Sequence, residues 1–313
     1  MKKILCVLMS CLLFVMAGCS GHSKNLKFGA ADIGGVYYSF ASTFTQLADK
    51  EIDGYTFETK TTAGSVANLR LISDGYIDLA IAQADLLSDA YNATGTFADK
   101  KYQKGYKAVA SLYTECCQIV VRKDSGITGI DDLINKTVSV GASESGSEKN
   151  AEQILKMSGI TDELINKVNM DYTEAAEKLK AGEIDAFFCT AGTRTEVIGQ
   201  LSKECDICLI SLDDKCIDKM LSAYSLCEKY TIPAGTYNGQ DSDVTTIGVK
   251  AVLIAKQSLS DDVIKNVTKT IYEHADDFKY ATSLDISFDI NTAADGVDIP
   301  FHSGAAAYYT ERG

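Results

Sequence analysis

The sequence predicts an α/β protein built as two lobes, and three observations carry that prediction. Strands rich in β-branched residues alternate with stretches of helical periodicity along the chain. A glycine pattern occurs twice: "FGAADIGGVYYSF" (28–40) set against "VGASESGSEKNAE" (140–152) aligns Gly29 with Gly141 and Gly34 with Gly146, with an acid, Asp32 or Glu144, in the same slot. A second pair repeats as well, because "LISDGYIDLAIAQAD" (71–85) and "LKAGEIDAFFCTAG" (179–192) each close a helix at glycine and run Ile-Asp into an apolar strand. Each half of the chain thus has its own strand-turn-helix units.

The chain opens with "MKKILCVLMSCLLFVMAGCS", two lysines followed by an apolar run and small residues before a cysteine. Residues 4–17 are too few for a membrane span of about 20 residues and read as the core of an export signal. Met16-Ala17-Gly18-Cys19 resembles a lipobox, so residues 1–18 are expected to be cleaved as a lipoprotein signal peptide and Cys19 to carry lipid. Residues 19–26 then form a polar tether. The expected location is outside the cytoplasm, lipid-anchored at the cell envelope, on the outer face of the cytoplasmic membrane or in the periplasm.

The first helix after the tether carries Phe40, Phe44, Leu47, Ala48 and Ile52 on one face, and the helix after the second glycine pattern carries Ala151, Ile154, Leu155 and Ile160. Each needs a sheet to cover. "YTFETKTT" (55–62) and "KAVASLY" (107–113) complete the strands of the first lobe, and "TVSVGAS" (137–143), "VNMDY" (168–172) and "DICLISL" (206–212) those of the second. The runs "CQIVVRKDSG" (117–126) and "TIGVKAVLIAKQSLS" (246–260) flank the second lobe and suit hinge crossovers. Lobe I is therefore expected at 27–118 plus 245–313 and lobe II at 119–244. A last helix is expected from Asp261 to Tyr280, N-capped by Ser260, with Val263, Val267, Ile271 and Ala275 on one stripe.

With 43 acidic against 30 basic residues the net charge is −13, which argues against nucleic acid or an anionic lipid surface as partner. Of ten cysteines, Cys6 and Cys11 lie in the signal and Cys19 takes lipid, leaving an odd seven that cannot all pair. Cys205 and Cys208 have finger spacing but no second Cys-x-x-Cys and no nearby histidine, so no metal is expected. Cys117, Cys189 and Cys208 sit in apolar runs as small hydrophobes. The three histidines, His22, His274 and His302, adjoin no serine or cysteine motif, so neither catalysis nor a cofactor is expected. A Ser143 hydrolase is the residual enzymatic alternative.

"GASESGSE" fails as a phosphate loop, because Ser147 and Glu148 stand where Lys and Ser or Thr would be, and fails as a nucleophile elbow by one residue. It fits an anion-facing turn: a helix start exposes unpaired N–H groups, and two facing lobes that each present one can hold an anion between them. The candidates are Gly34, Gly35, Val36, Tyr37, Ser65 and Asn68 in the first lobe, and Ser143, Ser145, Gly146, Ser147, Thr190, Ala191 and Gly192 in the second. Gln83 and Thr190 stand six residues beyond Ile77 and Ile184, at the carboxyl ends of equivalent strands, where open α/β sheets place ligands. Ser145 and Glu148 form the capping box S-x-x-E, so Glu148 is a cap. Tyr113 and Glu115 are either cleft floor or plain strand end; Arg194 either reaches a ligand carboxylate or begins a helix in solvent, with the second favoured.

Several segments in order, "GGVYYSFASTFTQLA", "TTAGSVANLRLISDGYIDLAIAQAD", "ASLYTE", "EIDAFFCTAG" and "IPAGTYNGQDSDVTTIGVKAVLIAK" among them, resemble the TAXI-type solute receptors of tripartite ATP-independent periplasmic (TRAP) transporters over essentially the whole chain from Phe28. Cys116-Cys117 and Arg194 depart from the usual pattern. The resemblance implies a two-lobed periplasmic-binding-protein-like fold of type II, with a ligand cleft between hinged lobes. It also implies a monomer that delivers a small organic anion or amino acid to TRAP membrane permease subunits driven by an ion gradient, the solute being glutamate-like or a dicarboxylate such as 2-oxoglutarate. Matching motif positions imply ligand contacts from Gly35, Val36, Tyr37, Tyr38, Ser65, Asn68, Gln83, Tyr113, Ser143, Ser147, Thr190 and Gly192. A lipoprotein that senses the same ligand and signals to a membrane receptor is the alternative.

Overall fold

The structure, a computed structural model, describes residues 23–99, 104–284 and 288–313; the signal peptide and Cys19 lie outside them. The first strand already takes up Lys24 to Leu26, so the end of the expected tether is part of the sheet. Lobe I opens with β1 (Lys24–Gly29), α1 (Val36–Glu51), β2 (Tyr55–Lys60), α2 (Ser65–Ser73), β3 (Leu79–Gln83) and α3 (Ala84–Asn92). The long β4 (Tyr106–Arg122) leads into β5 (Thr137–Ser139), α4 (Gly146–Met157), β6 (Asn166–Val168), α5 (Tyr172–Ala181), β7 (Ala186–Ala191), α6 (Glu196–Glu204), β8 (Ile207–Leu209) and α7 (Asp214–Ala223). After β9 (Cys227–Ile232) and β10 (Val244–Lys256) the chain ends in α8 (Asp261–Glu273), α9 (Ala275–Thr282) and α10 (Ser303–Arg312).

The strands run in the order β2-β1-β3-β10-β4-β7-β5-β6. β1 is parallel to β2 and β3, and β5 is parallel to β6 and β7, so β2-β1-β3 recurs as β6-β5-β7. The glycine repeat in the sequence is therefore a repeat of topology. β4 and β10 are antiparallel over Tyr106 to Cys116; β4 then continues alongside β7, while the other end of β10, Val244 to Val249, pairs with β9. These two strands belong to both lobes. "KAVASLY" and "CQIVV", expected as a strand and a separate crossover, fuse into β4 because no glycine or proline interrupts their buried apolar residues.

α1 buries Phe40, Phe44 and Ala48 against the first lobe's sheet, and Phe40 stacks on Phe278 with ring centroids 4.4 Å apart. Burying each such aromatic stabilises by roughly 1.5–3 kcal/mol. α4 covers lobe II with Ala151, Ile154 and Leu155. The expected helix 261–280 starts at its Ser260 cap, which accepts the Val263 N–H, but it breaks at His274. There the imidazole is held by Glu51 at 2.6 Å and Asp277 at 2.9 Å, and the chain restarts as α9 so that Phe278 reaches Phe40. "VNMDY" is a strand only at Val168: Asp171 leaves the sheet to cap α5, accepting the Glu174 N–H at 2.8 Å. All seven cysteines among the described residues are free thiols.

Candidate ligand-binding site

A cavity of about 270 Å³ lies between the lobes at the carboxyl ends of the parallel strands. Four helix starts meet on its wall: Val36 and Tyr37 of α1, Gly64 and Ser65 of α2, Ser145 to Ser147 at α4, and Asp171 and Tyr172 at α5. Strand ends supply Gln83, Glu115, Thr190 and Ala191. The placement follows from the fold, since every parallel strand in this architecture points its carboxyl end, and the next helix its N-terminus, at the same crevice.

Each lobe carries one chain of hydrogen bonds behind the wall. In lobe I the Gln83 N–H donates to Ser65 Oγ at 3.1 Å, and the Tyr37 hydroxyl, 3.4 Å from Ser65 Oγ, donates to Glu115 at 2.9 Å. With its proton on Glu115, Tyr37 is the acceptor from Ser65. In lobe II the Thr190 N–H donates to Ser147 Oγ at 2.8 Å, Tyr172 donates to the Thr190 carbonyl at 2.9 Å, and Ser147 and Tyr172 are 2.6 Å apart, with Ser147 the donor. The equivalent strand ends, Gln83 and Thr190, thus use one device. The serine and the tyrosine have changed places: tyrosine sits on the first helix and serine on the second in lobe I, and the reverse holds in lobe II.

The two halves differ at their caps. α1 and α2 begin after Gly35 and Gly64, and no side chain caps either. α4 and α5 cap themselves: Ser145 accepts the Glu148 N–H at 3.0 Å and Asp171 accepts the Glu174 N–H at 2.8 Å. Glu148 completes the expected cap with a shift, its carboxylate taking the Glu144 N–H at 2.9 Å and the Asn169 amide at 2.9 Å.

The lobes touch around the cavity. Arg70 of α2 grips Glu144 through Nε at 3.2 Å and Nη2 at 2.6 Å, and the Ala67 N–H donates to the Glu144 carbonyl at 3.1 Å. Glu144 holds φ +65°, a left-handed conformation that is rare outside glycine. Gly146 packs so closely on Gln83 that a methyl group there would collide with the amide.

The acids are shifted by burial. Glu115 is 2 % exposed, and desolvation pushes its carboxyl up to about 8 despite hydrogen bonds from Tyr37 and Gln83. Asp32 accepts backbone N–H groups of Gly34 and Tyr172, yet burial and the charge of Asp171 raise it above its ordinary value. Burial also raises the phenols of Tyr37, Tyr113 and Tyr172.

Of the expected contacts, Val36, Tyr37, Ser65, Gln83, Ser147 and Thr190 line the cavity, and Gly35 stands directly behind it as the α1 cap. Five stand apart. Tyr38, next along α1 from Tyr37 but off the wall, packs half-buried on the lobe I core. Asn68 spends its amide on the Gly29, Ala30 and Ile81 carbonyls and accepts from Thr62, so it struts β1 to β3. Ser143 is exposed at the turn, where Ser145 takes the place on the wall. Gly192 lies where a side chain would meet Leu284, so it serves packing. Tyr113 lines a separate open groove with Arg194 and Lys250. Residues missing from the expected set include Asp32, Glu115, Asp171 and Tyr172. Asp171 and Tyr172 had a signal in "DYTE", a D-x-x-E helix start.

Two lobes sharing a pair of long strands, with helix starts turned on a cavity between them, define the periplasmic-binding-protein fold. The chain belongs to the NMT1-like family, whose pattern matches residues 28–313. Solved structures share its architecture at low identity. The periplasmic binding protein BugD superposes with a TM-score of 0.59 at 10 % identity, over 92 % of this chain and 94 % of that one. PhnD1 from Prochlorococcus marinus, in complex with methylphosphonate, gives 0.56 at 14 %, covering 80 % of this chain and 84 % of its own. MatC from Rhodopseudomonas palustris with bound malate gives 0.56 at 13 %, covering 82 % and 87 %. Among the described residues no helix is long and apolar enough to cross a membrane.

Proposed function

We propose that this protein is an extracytoplasmic solute receptor, anchored by lipid on Cys19, that captures a small carboxylate-bearing solute and delivers it to an ion-gradient-driven TRAP permease. Lobe I comprises 27–118 plus 245–313 and lobe II 119–244, and they close as a monomer on a glutamate-like amino acid or a dicarboxylate such as 2-oxoglutarate. The observation that carries the reading is the pair of uncapped helix starts after Gly35 and Gly64, which turn first-turn N–H groups towards a cavity sized for one small molecule. The likeness of the segments quoted above to TAXI receptors supports the permease type. Val36, Tyr37, Ser65, Gln83, Ser147 and Thr190 are the proposed contacts, joined by Tyr172. Nothing favours hydrolysis, since Ser143 is exposed and off the wall.

Thermal denaturation against a library of organic acids and amino acids tests the receptor. A solute at about 100 times its dissociation constant adds about 2.7 kcal/mol of stability. A library in which only sugars stabilise sinks the carboxylate assignment. Uptake of that solute by vesicles containing a TRAP permease, with and without this protein, separates delivery from sensing.

A further inference from the structure

This inference rests on the receptor reading and narrows its solute. Among the described residues the cavity wall carries three carboxyl groups, Asp32, Glu115 and Asp171, and no lysine, arginine or histidine. Glu115 is engaged by Tyr37 and Gln83. Asp32 and Asp171 come from opposite lobes and lie close enough for the charge of one to act on the other. One oxygen of Asp32, Oδ2, has no protein partner.

A second, independent observation comes from neutral side chains on the same wall. Gln83 is 1 % exposed and Thr190 4 % exposed, and each keeps an oxygen, Oε1 and Oγ1, without a protein partner. Buried polar atoms are normally paired, so orphans on a cavity wall mark what the occupant must supply. Asp32 Oδ2 and Gln83 Oε1 can only accept, so the occupant must donate. Among the described residues no three His, Cys, Asp or Glu side chains gather as a metal site. A protonated nitrogen meets both demands, because it brings several N–H donors and a positive charge to an otherwise acidic wall.

We propose that the solute carries a protonated amine, received by Asp32 with Asp171 across the cleft, and that this pair selects zwitterions or cations and rejects dicarboxylates lacking an amine. The carboxylate of such a zwitterion lies at the uncapped α1 and α2 starts of lobe I. A second carboxylate on the solute adds a like charge to the wall, so a neutral amino acid binds more tightly than its acidic counterpart.

Calorimetric titration of the full chain with L-glutamine, L-glutamate and 2-oxoglutarate tests this, since the last two differ at one carbon in amine against ketone. The expected order is glutamine, glutamate, oxoglutarate, with glutamate at least about 100-fold tighter than oxoglutarate. Asp32→Asn should reduce that ratio at least about tenfold, by weakening glutamate while oxoglutarate, relieved of a like charge, binds no more weakly than to wild type. Oxoglutarate binding within about threefold of glutamate by the wild-type protein overturns the inference without any variant, as does an Asp32→Asn protein that keeps the full ratio. If none of the three binds, the carboxylate-receptor reading fails and takes this inference with it.

Discussion

The two lobes build their ligand-facing turns from one pattern and finish them differently. Lobe II closes its helix starts with its own side chains, Ser145 and Asp171, whereas lobe I leaves α1 and α2 behind bare glycines. The chain behind each wall differs too: that of lobe I ends on an ionisable group, Glu115, and that of lobe II on the neutral Thr190 carbonyl. A duplicated scaffold has thus separated two tasks. In the proposed receptor, lobe I leaves the α1 start and the first N–H groups of α2 to an anionic group, Ala67 of α2 being taken by the Glu144 carbonyl, and lobe II supplies a face whose helix starts are already capped.

The sharpest way to probe the contrast is pH. A carboxyl whose folded value is raised from 4.5 to about 8 favours folding fully below the unfolded value, and that contribution is lost as pH rises towards about 8. Glu115→Gln has no proton to lose. Its stability advantage over wild type should therefore grow by on the order of 3–5 kcal/mol between pH 5 and pH 8.5. Chemical denaturation of both proteins at these two pH values measures it, and a constant gap would show that lobe I has no such titration.

Making lobe I resemble lobe II should trade binding for stability. Gly35 has φ −101°, open to any residue, and an added Cβ would lie 3.3 Å from the Asp32 carbonyl, so Gly35→Ser can cap α1 once that turn gives by a few tenths of an ångström. A few tenths of a kcal/mol of added stability and about a tenfold loss of solute affinity are expected. Unchanged affinity in calorimetry would mean that the α1 start does not face the solute. The converse change removes the lobe II cap: Ser145→Ala should cost about 1 kcal/mol of stability with less than about a twofold change in affinity. The smallest effect on affinity is expected from Glu148→Gln, less than about twofold, while stability falls by about 1 kcal/mol because the amide oxygen can accept the Glu144 N–H but not the Asn169 amide as well. A large affinity loss from Glu148→Gln alone would return Glu148 to the ligand.

Much of the site was legible one turn at a time. Glycines in a fixed frame located the turns at Gly34 and Gly146, and counting from Ile77 and Ile184 found Gln83 and Thr190 at matching strand ends. Asn68 and Ser143 misled because their type and position suit a ligand contact, while their partners are chosen by distant strands or by solvent. Asp32 was visible only as the slot-mate of Glu144. That alignment suggested equivalence, but Glu144 turns outward to Arg70 while Asp32 lines the cavity.

Hydrophobic periodicity, the glycine repeat and the S-x-x-E signature are local, so they fixed the alternation of strands and helices, the duplicated unit and the cap at Glu148 without reference to the rest of the chain. The fusion of two segments into β4, the exchange of serine and tyrosine between equivalent helices, and the raised carboxyl of Glu115 depend on contacts between residues far apart in sequence. Burial and hydrogen-bond partners are properties of the assembled cleft. Only the tertiary structure could decide that acids from both lobes meet at the cleft and that three of its buried oxygens lack a protein partner.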